Sequence, residues 1–502
     1  MSEPPLLLRR VRRPGSDDLL DVLITDGRVA RIAPTGTVDP SSSSPVEPID
    51  ADGAVLLPGL WDHHVHFRQW ALRRERLDLS QATDARAVLD LVRAQPRLDE
   101  PLVGYGFRDA TWPEPPTQEA LDAVAGDRPV VLIAWDLHCA WLSTAAARWL
   151  GVHPDPDGVV REAEWFTTSR RLDEAGQGEQ SDVGALRRAA DAAAARGVVG
   201  IMDVEMADNI ATWPERIDHG VDALRVRAGF YPDRLDAVID AGLRSGDALN
   251  AAGLATVGPL KVIADGSLNT RTACCRDPYS GLVAGHDGEH GDVGHLEYDV
   301  DTLTDLVTRA RDAGLSTAVH AIGDAAVTAA LDAYAASAAP APALTSTIEH
   351  AQLVHPDDLP RFAALGITAS MQPEHAMDDR DIAEEYWPGR TQWAFPARSL
   401  LDAGASITLG SDAPVAPLDP WAAIGAAVTR TRDGREPWHP EQRITLAEAL
   451  TASTATRGTV HEGDVADLVL VAQDPLRCDP SALRTMEVLG TLLGGRWTHR
   501  TW

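Results

Sequence analysis

The chain has 502 residues, with 75 acidic against 45 basic side chains and a net charge of -30. That balance predicts a solvated acidic surface and argues against nucleic acid or an anionic membrane as a partner. The length allows more than one domain and a large core.

The N-terminus, "MSEPPLLLRRVRRPG", has three consecutive leucines and no small-residue cleavage site, so it does not read as a signal peptide. No apolar run approaches a membrane span. Arg9, Arg10, Arg12 and Arg13 read as one solvated strand or turn. Short β-rich runs follow, "DVLITDG", "RVARIAP" and "AVLLPG", and the C-terminus carries similar ones, "ADLVLVA" and "MEVLGTLLGG". Two β-rich ends flanking a long middle predict that the termini pair into one small sheet domain. Cys139, Cys274, Cys275 and Cys478 form neither a disulfide framework nor a zinc knuckle, and a cytoplasmic protein is the simplest expectation.

The middle repeats a short apolar, β-branched run followed by a helical stretch. Strand candidates lie at 59–66, 198–204, 223–231, 259–265, 315–321, 345–351, 366–372 and 405–412. Segments between them, such as "DTLTDLVTRARDAG", place apolar residues at helical spacing and glycine at the stop. Eight such units predict an α/β fold, a (β/α)8 TIM-like barrel. Residues 67–182 interrupt the rhythm with a strand, "RPVVLIAW", and helices of their own. They are expected to form an inserted α/β subdomain over the active-site mouth. The expected division is therefore 1–58 with 459–502 as a composite β-sandwich, 59–66 with 183–458 as the barrel, and 67–182 as the insertion.

Function in such barrels gathers at the C-terminal ends of the strands. There this sequence puts His64 and His66 on the first strand, Lys261 on the fourth, His320 on the fifth, His350 on the sixth and Asp412 on the eighth. His64 and His66 alternate along an extended chain and share a side; His63 points to the other, as packing or support. Four imidazoles and a carboxylate suit Zn2+, with iron, nickel, cobalt or manganese as alternatives. Lys261 is the only lysine among the 45 basic residues. Only a lysine can react with carbon dioxide to give a carbamate whose two oxygens bridge a metal pair, whereas a permanently charged arginine would oppose metal binding.

These residues carry a resemblance. "LLPGLWDHHVHF" resembles the Pro-Gly-x-x-Asp-x-His-x-His signature of the amidohydrolase superfamily, and "LKVIADGSLNTRTA", "VHAIGDAAV", "IEHAQLV" and "GSDAPV" resemble blocks of its amidohydrolase family 3, the YtcJ-like metal-dependent hydrolases. The resemblance implies a barrel with a composite β-sandwich from both termini, and a metal-activated hydroxide attacking a carbon-nitrogen bond. It further implies that His64 and His66 bind one metal, His320 and His350 a second, carboxylated Lys261 bridges them, and Asp412 binds metal and shuttles the proton. One metal or two are both compatible with the family.

The expected function is hydrolysis of a non-peptide carbon-nitrogen bond in a small-molecule amide, of the N-substituted formamide or N-acyl amine type. Two other readings stand beside it: an ester, lactone or carbamate hydrolase using the same centre, and a non-catalytic scaffold that kept the fold. Ala413, Asn269 and Thr270 depart from the family's usual residues near the expected pocket, which weakens any transfer of substrate identity. Candidate substrate contacts are His138 in the insertion, Arg271, which pairs with either a substrate carboxylate or a structural acid such as Asp265, and His375 after the seventh strand. Trp112, Trp135, Trp141 and Trp165 are expected in the core of the insertion. No nucleic-acid or membrane partner is expected, and a homodimer is compatible with the sequence.

Overall fold

The computed structural model describes residues 4–38, 48–96, 101–107, 112–135, 139–155, 157–175, 179–269, 271–280, 292–337 and 345–502. Eight strands form one parallel sheet in sequential order: β1 (Leu60–Val65), β2 (Val198–Asp203), β3 (Arg225–Phe230), β4 (Ala255–Ile263), β5 (Thr317–Ala321), β6 (Thr347–His350), β7 (Thr368–Met371) and β8 (Ile407–Leu409). Every expected barrel strand is present. β1 and β2 are buried along their whole length, which is why they read as near-continuous apolar runs. Beyond β8 the chain closes the seam against β1. Asp412 N–H donates to His64 O and His66 N–H donates to Ala413 O, both at 2.8 Å. The same closure brings candidate ligands of the first and last strands side by side.

The helices obey local rules. Over Val300–Asp312, Asp299 caps the start by accepting from Thr302 N–H, Leu303, Leu306, Val307 and Ala310 form the buried stripe, and Gly314 takes the left-handed φ of +78° just past the end. That stripe joins a core with Leu260, Val262, Val319 and Ile348. Burying each such aliphatic side chain contributes about 1.5–3 kcal/mol.

The two ends of the chain meet as the sequence predicts. Val55–Pro58 pairs antiparallel with Leu468–Val471 in a four-stranded sheet completed by Val488–Leu493 and Arg496–Arg500. A second four-stranded sheet holds Leu6–Val11, Leu20–Thr25, Arg28–Pro34 and Pro48–Asp50. Leu8, Val22 and Ile24 share a core with Leu56, Leu468 and Leu492, so both termini build one β-sandwich. Within the N-terminal arginine cluster, Arg10 pairs with Asp50 at 2.8 Å on the exposed surface.

Residues 71–186 make a separate unit, and residues 1–70 with 187–502 make the other. The separate unit carries a five-stranded sheet in the order Val159–Arg161, Cys139–Leu142, Val130–Ala134, Leu102–Phe107, Leu77–Asp78. Its strand Val130–Ala134 falls within "RPVVLIAW", and the helix Gln118–Ala125 is capped by Thr117. Trp141 and Trp165 are core residues, whereas Trp112 and Trp135 are only half-buried. No helix among the described residues is long and apolar enough to cross a membrane.

Candidate metal centre

Buried histidines and carboxylates converge at the C-terminal rim of the barrel. Ligand atoms of His64, His350 and Asp412 all lie within 4.8 Å of one another, and all three residues are buried. His64 Nε2 stands 3.5 Å from Asp412 Oδ1, and His66 Nε2 stands 3.3 Å from the same oxygen. Two atoms each about 2.1 Å from a shared tetrahedral ion stand roughly 3.4 Å apart, so these spacings match the edges of a metal's ligand shell. The His350 ring lies 4.9 Å from that of His64 and 4.5 Å from that of His320, centroid to centroid. Lys261 Nζ is 3.4 Å from His64 Nε2.

Local backbone geometry aims these side chains. β1 carries one extra residue against β2, because Asp62 pairs with Ile201 and Val65 with Asp203. His63 stacks on Trp61, two residues before it, with ring centroids 6.1 Å apart, and lines a cavity inside the barrel. His350 and Asp412 hold left-handed φ values of +70° and +56°. Such conformations cost about 1–3 kcal/mol in a non-glycine residue and persist where the surroundings dictate them. At His350 the turn lets two neighbouring residues reach His64: Glu349 hydrogen-bonds it while the His350 ring packs beside it.

Glu349 fixes the tautomer of His64. Its carboxylate accepts from His64 Nδ1–H at 2.5 Å, leaving the Nε2 lone pair to face Asp412 and Lys261. His320 Nε2–H donates to Gly266 O at 3.1 Å, so Nδ1 is its free electron pair. Burial drives His320 down to about 3 and, with the neighbouring His320 and His64 rings, holds His350 well below the usual imidazole range. Burial also lowers Lys261, against the pull of Glu349 and Asp412. For Asp412, burial acts upward but His64 and His66 prevail and hold it well below the usual carboxylate range. His64, His320 and His350 are thus lowered toward the neutral form that a metal needs, whereas the bond to Asp412 raises His66 against burial. The donor set fits a divalent ion in one further respect: the Nδ1 atoms of His66 and His350 are buried and have no hydrogen-bond partner among the described residues.

The amidohydrolase family model matches residues 47–499, a span that contains all eight barrel strands, this cluster and the sandwich strands from Pro48 to Leu493. The chain belongs to the amidohydrolase family. The resemblance read from the motifs is borne out, and with it membership of a family of metal-dependent hydrolases. This amidohydrolase is 26% identical to YtcJ of Bacillus subtilis over 90% of each chain. It is 27% identical to an N-substituted formamide deformylase of Arthrobacter pascens over 94% of each chain. Its fold superposes on a metal-dependent hydrolase of Pyrococcus horikoshii with a TM-score of 0.80 and 24% identity, covering 95% of this chain and 99% of that one.

Other residues of the amidohydrolase take distinct places. His375, at the start of the helix Pro373–Tyr386, stacks on His350 at 6.0 Å with its Nε2 3.9 Å from Asp412 Oδ2. Arg271 holds a left-handed φ of +58° and lies over the Tyr386 ring at 5.4 Å. Asp265 accepts from the backbone N–H groups of Cys274, Ile322 and Gly323, which ties the end of β4 to the end of β5 beside His320. His138 and Thr270 lie outside the described residues. Glu349 escaped the sequence reading. Its signal was a lone acidic residue inside the buried run "TSTIEHA".

Proposed function

We propose that the protein hydrolyses a non-peptide carbon-nitrogen bond of a small amide, of the N-substituted formamide or N-acyl amine type. The observation that carries this reading is the spacing of His64, His66, His350 and Asp412 at ligand-shell distances on one barrel rim. We assign His64, His66, His320, His350, Asp412 and Lys261 as the metal-holding set, Lys261 as its carbamate, and Zn2+ as the ion. The relative named for formamide deformylation supports the choice of substrate class. The departures at Ala413 and Asn269 leave the substituent on nitrogen open. We place the enzyme in the cytoplasm, as the charge and cysteine usage suggest.

An unactivated amide needs a strong nucleophile, a polarised carbonyl and a proton for the departing nitrogen. A divalent metal, when bound, supplies the first two by acidifying water and acting as a Lewis acid. The protein's own residues supply the rest. Asp412, held ionised by its histidine neighbours, accepts the proton lost by water during attack. It returns that proton to the nitrogen as the carbon-nitrogen bond breaks. Glu349 keeps His64 in the tautomer whose Nε2 faces the cluster, and His375 is positioned beside Asp412 to meet the substrate. The test is a panel of matched N-substituted formamides, N-acyl amines and esters assayed with zinc-loaded protein. Turnover of amides supports the reading; hydrolysis of esters alone would replace it with the esterase alternative.

A further inference from the structure

A second site lies inside the barrel, toward the N-terminal ends of the strands. There a cavity of about 180 Å³ is lined from β1, β2, β3, β4, β6, β7 and β8 and by Ser316 just ahead of β5. On four strands that carry a cluster residue the lining residue precedes it: His63 comes before His64, Pro259 before Lys261, Thr347 before Glu349 and Thr408 before Asp412. The cavity is therefore on the far side of the lumen from the metal-holding rim. Its wall includes the exposed residues Thr345 and Thr456, so it communicates with solvent.

The chemistry of the wall is unbalanced. Arg227 of β3 brings a guanidinium into it, and an arginine stays charged under any physiological condition. Its carbon centre lies 4.5 Å over the Trp61 ring, and among the described residues no carboxylate or carbonyl pairs with it. Arg227 is half-buried, and a charge drawn even partly out of bulk water is usually given a counter-charge. Two further wall groups are also unmatched. His63 Nε2 and Thr408 Oγ1 are buried without a hydrogen-bond partner among the described residues, in residues only 5% and 8% exposed. Thr347, by contrast, is committed, since its hydroxyl donates to Glu349.

We propose that this cavity binds a small inorganic oxyanion of the phosphate or sulfate type, held by the Arg227 guanidinium, the His63 Nε2–H and the Thr408 hydroxyl. One permanent cation and two orphaned donors in a space of this size match an oxyanion with a few accompanying waters. The site shares no ligand with the metal centre and does not depend on the assignment of the reaction.

The test compares thermal melting of the zinc-loaded protein in potassium phosphate and in potassium chloride at equal ionic strength. Wild type should gain a saturable rise in Tm specific to phosphate, and Arg227→Gln should lose it. A parallel crystal soak in selenate locates the anion by anomalous scattering, which separates this cavity from the metal rim. A peak beside Arg227 supports the proposal. A peak at the metal rim alone, no peak, or an equal Tm gain in both proteins overturns it. Should Arg227→Gln fail to fold, Thr408→Val carries the comparison: half-saturation at several-fold more phosphate supports the site, and an unchanged curve removes it.

Discussion

Substituting Glu349 separates what holds the barrel together from what prepares it for metal. The His64–Glu349 pair is buried, with side chains 1% and 0% exposed, and its 2.5 Å contact is charge-assisted. Removing one partner of a buried pair costs about 3–5 kcal/mol, so Glu349→Ala should lose a large share of folding stability. Glu349→Gln keeps the volume and one acceptor oxygen for His64 Nδ1–H. Its stability loss should be limited to the charge-assisted part of the bond, about 1–2 kcal/mol. Metal affinity should nevertheless fall about 10–100-fold, because a neutral amide no longer raises the basicity of His64 Nε2. Competition with a zinc chelator reads the affinity, and urea unfolding of the metal-free proteins reads the stability. If Glu349→Gln binds zinc as tightly as wild type, the orienting role given to Glu349 is wrong.

Three further outcomes follow from the same cluster. Lys261→Arg keeps a long basic side chain but cannot form a carbamate, and should lose metal and activity together; a fully loaded, active variant would sink the bridging role. Asp412→Asn, compared at matched zinc occupancy, should lower kcat by about 10²–10⁴-fold with a smaller change in KM, since its proton transfer is lost; an unchanged kcat would move that transfer to another group. Chelator dialysis should lower Tm in a way that zinc restores, because only the folded chain presents the converging ligands, and equal Tm values for the metal-free and zinc-loaded forms would contradict this.

The eight barrel strands were legible because each is a short buried run, and the candidate ligands were legible because such barrels expose function at strand ends. What escaped depends on geometry that no local pattern carries. Strict alternation would put Glu349 and His350 on opposite sides, and only the left-handed φ at His350 lets both reach His64. The bulge in β1 escaped for a related reason, since it is a register shift between two strands distant in sequence. Arg227 drew no attention in the strand candidate 223–231, because only the closed lumen shows it lining a cavity. The non-glycine left-handed residues at the rim, His350 and Asp412, have no sequence signature at all.

The central claim is that this rim holds metal, and elemental analysis of protein purified without chelators tests it most directly. One or two equivalents of divalent metal per chain, falling toward zero in Lys261→Arg, are the predicted result. Protein that binds none, even after reconstitution with zinc and bicarbonate, would contradict the account.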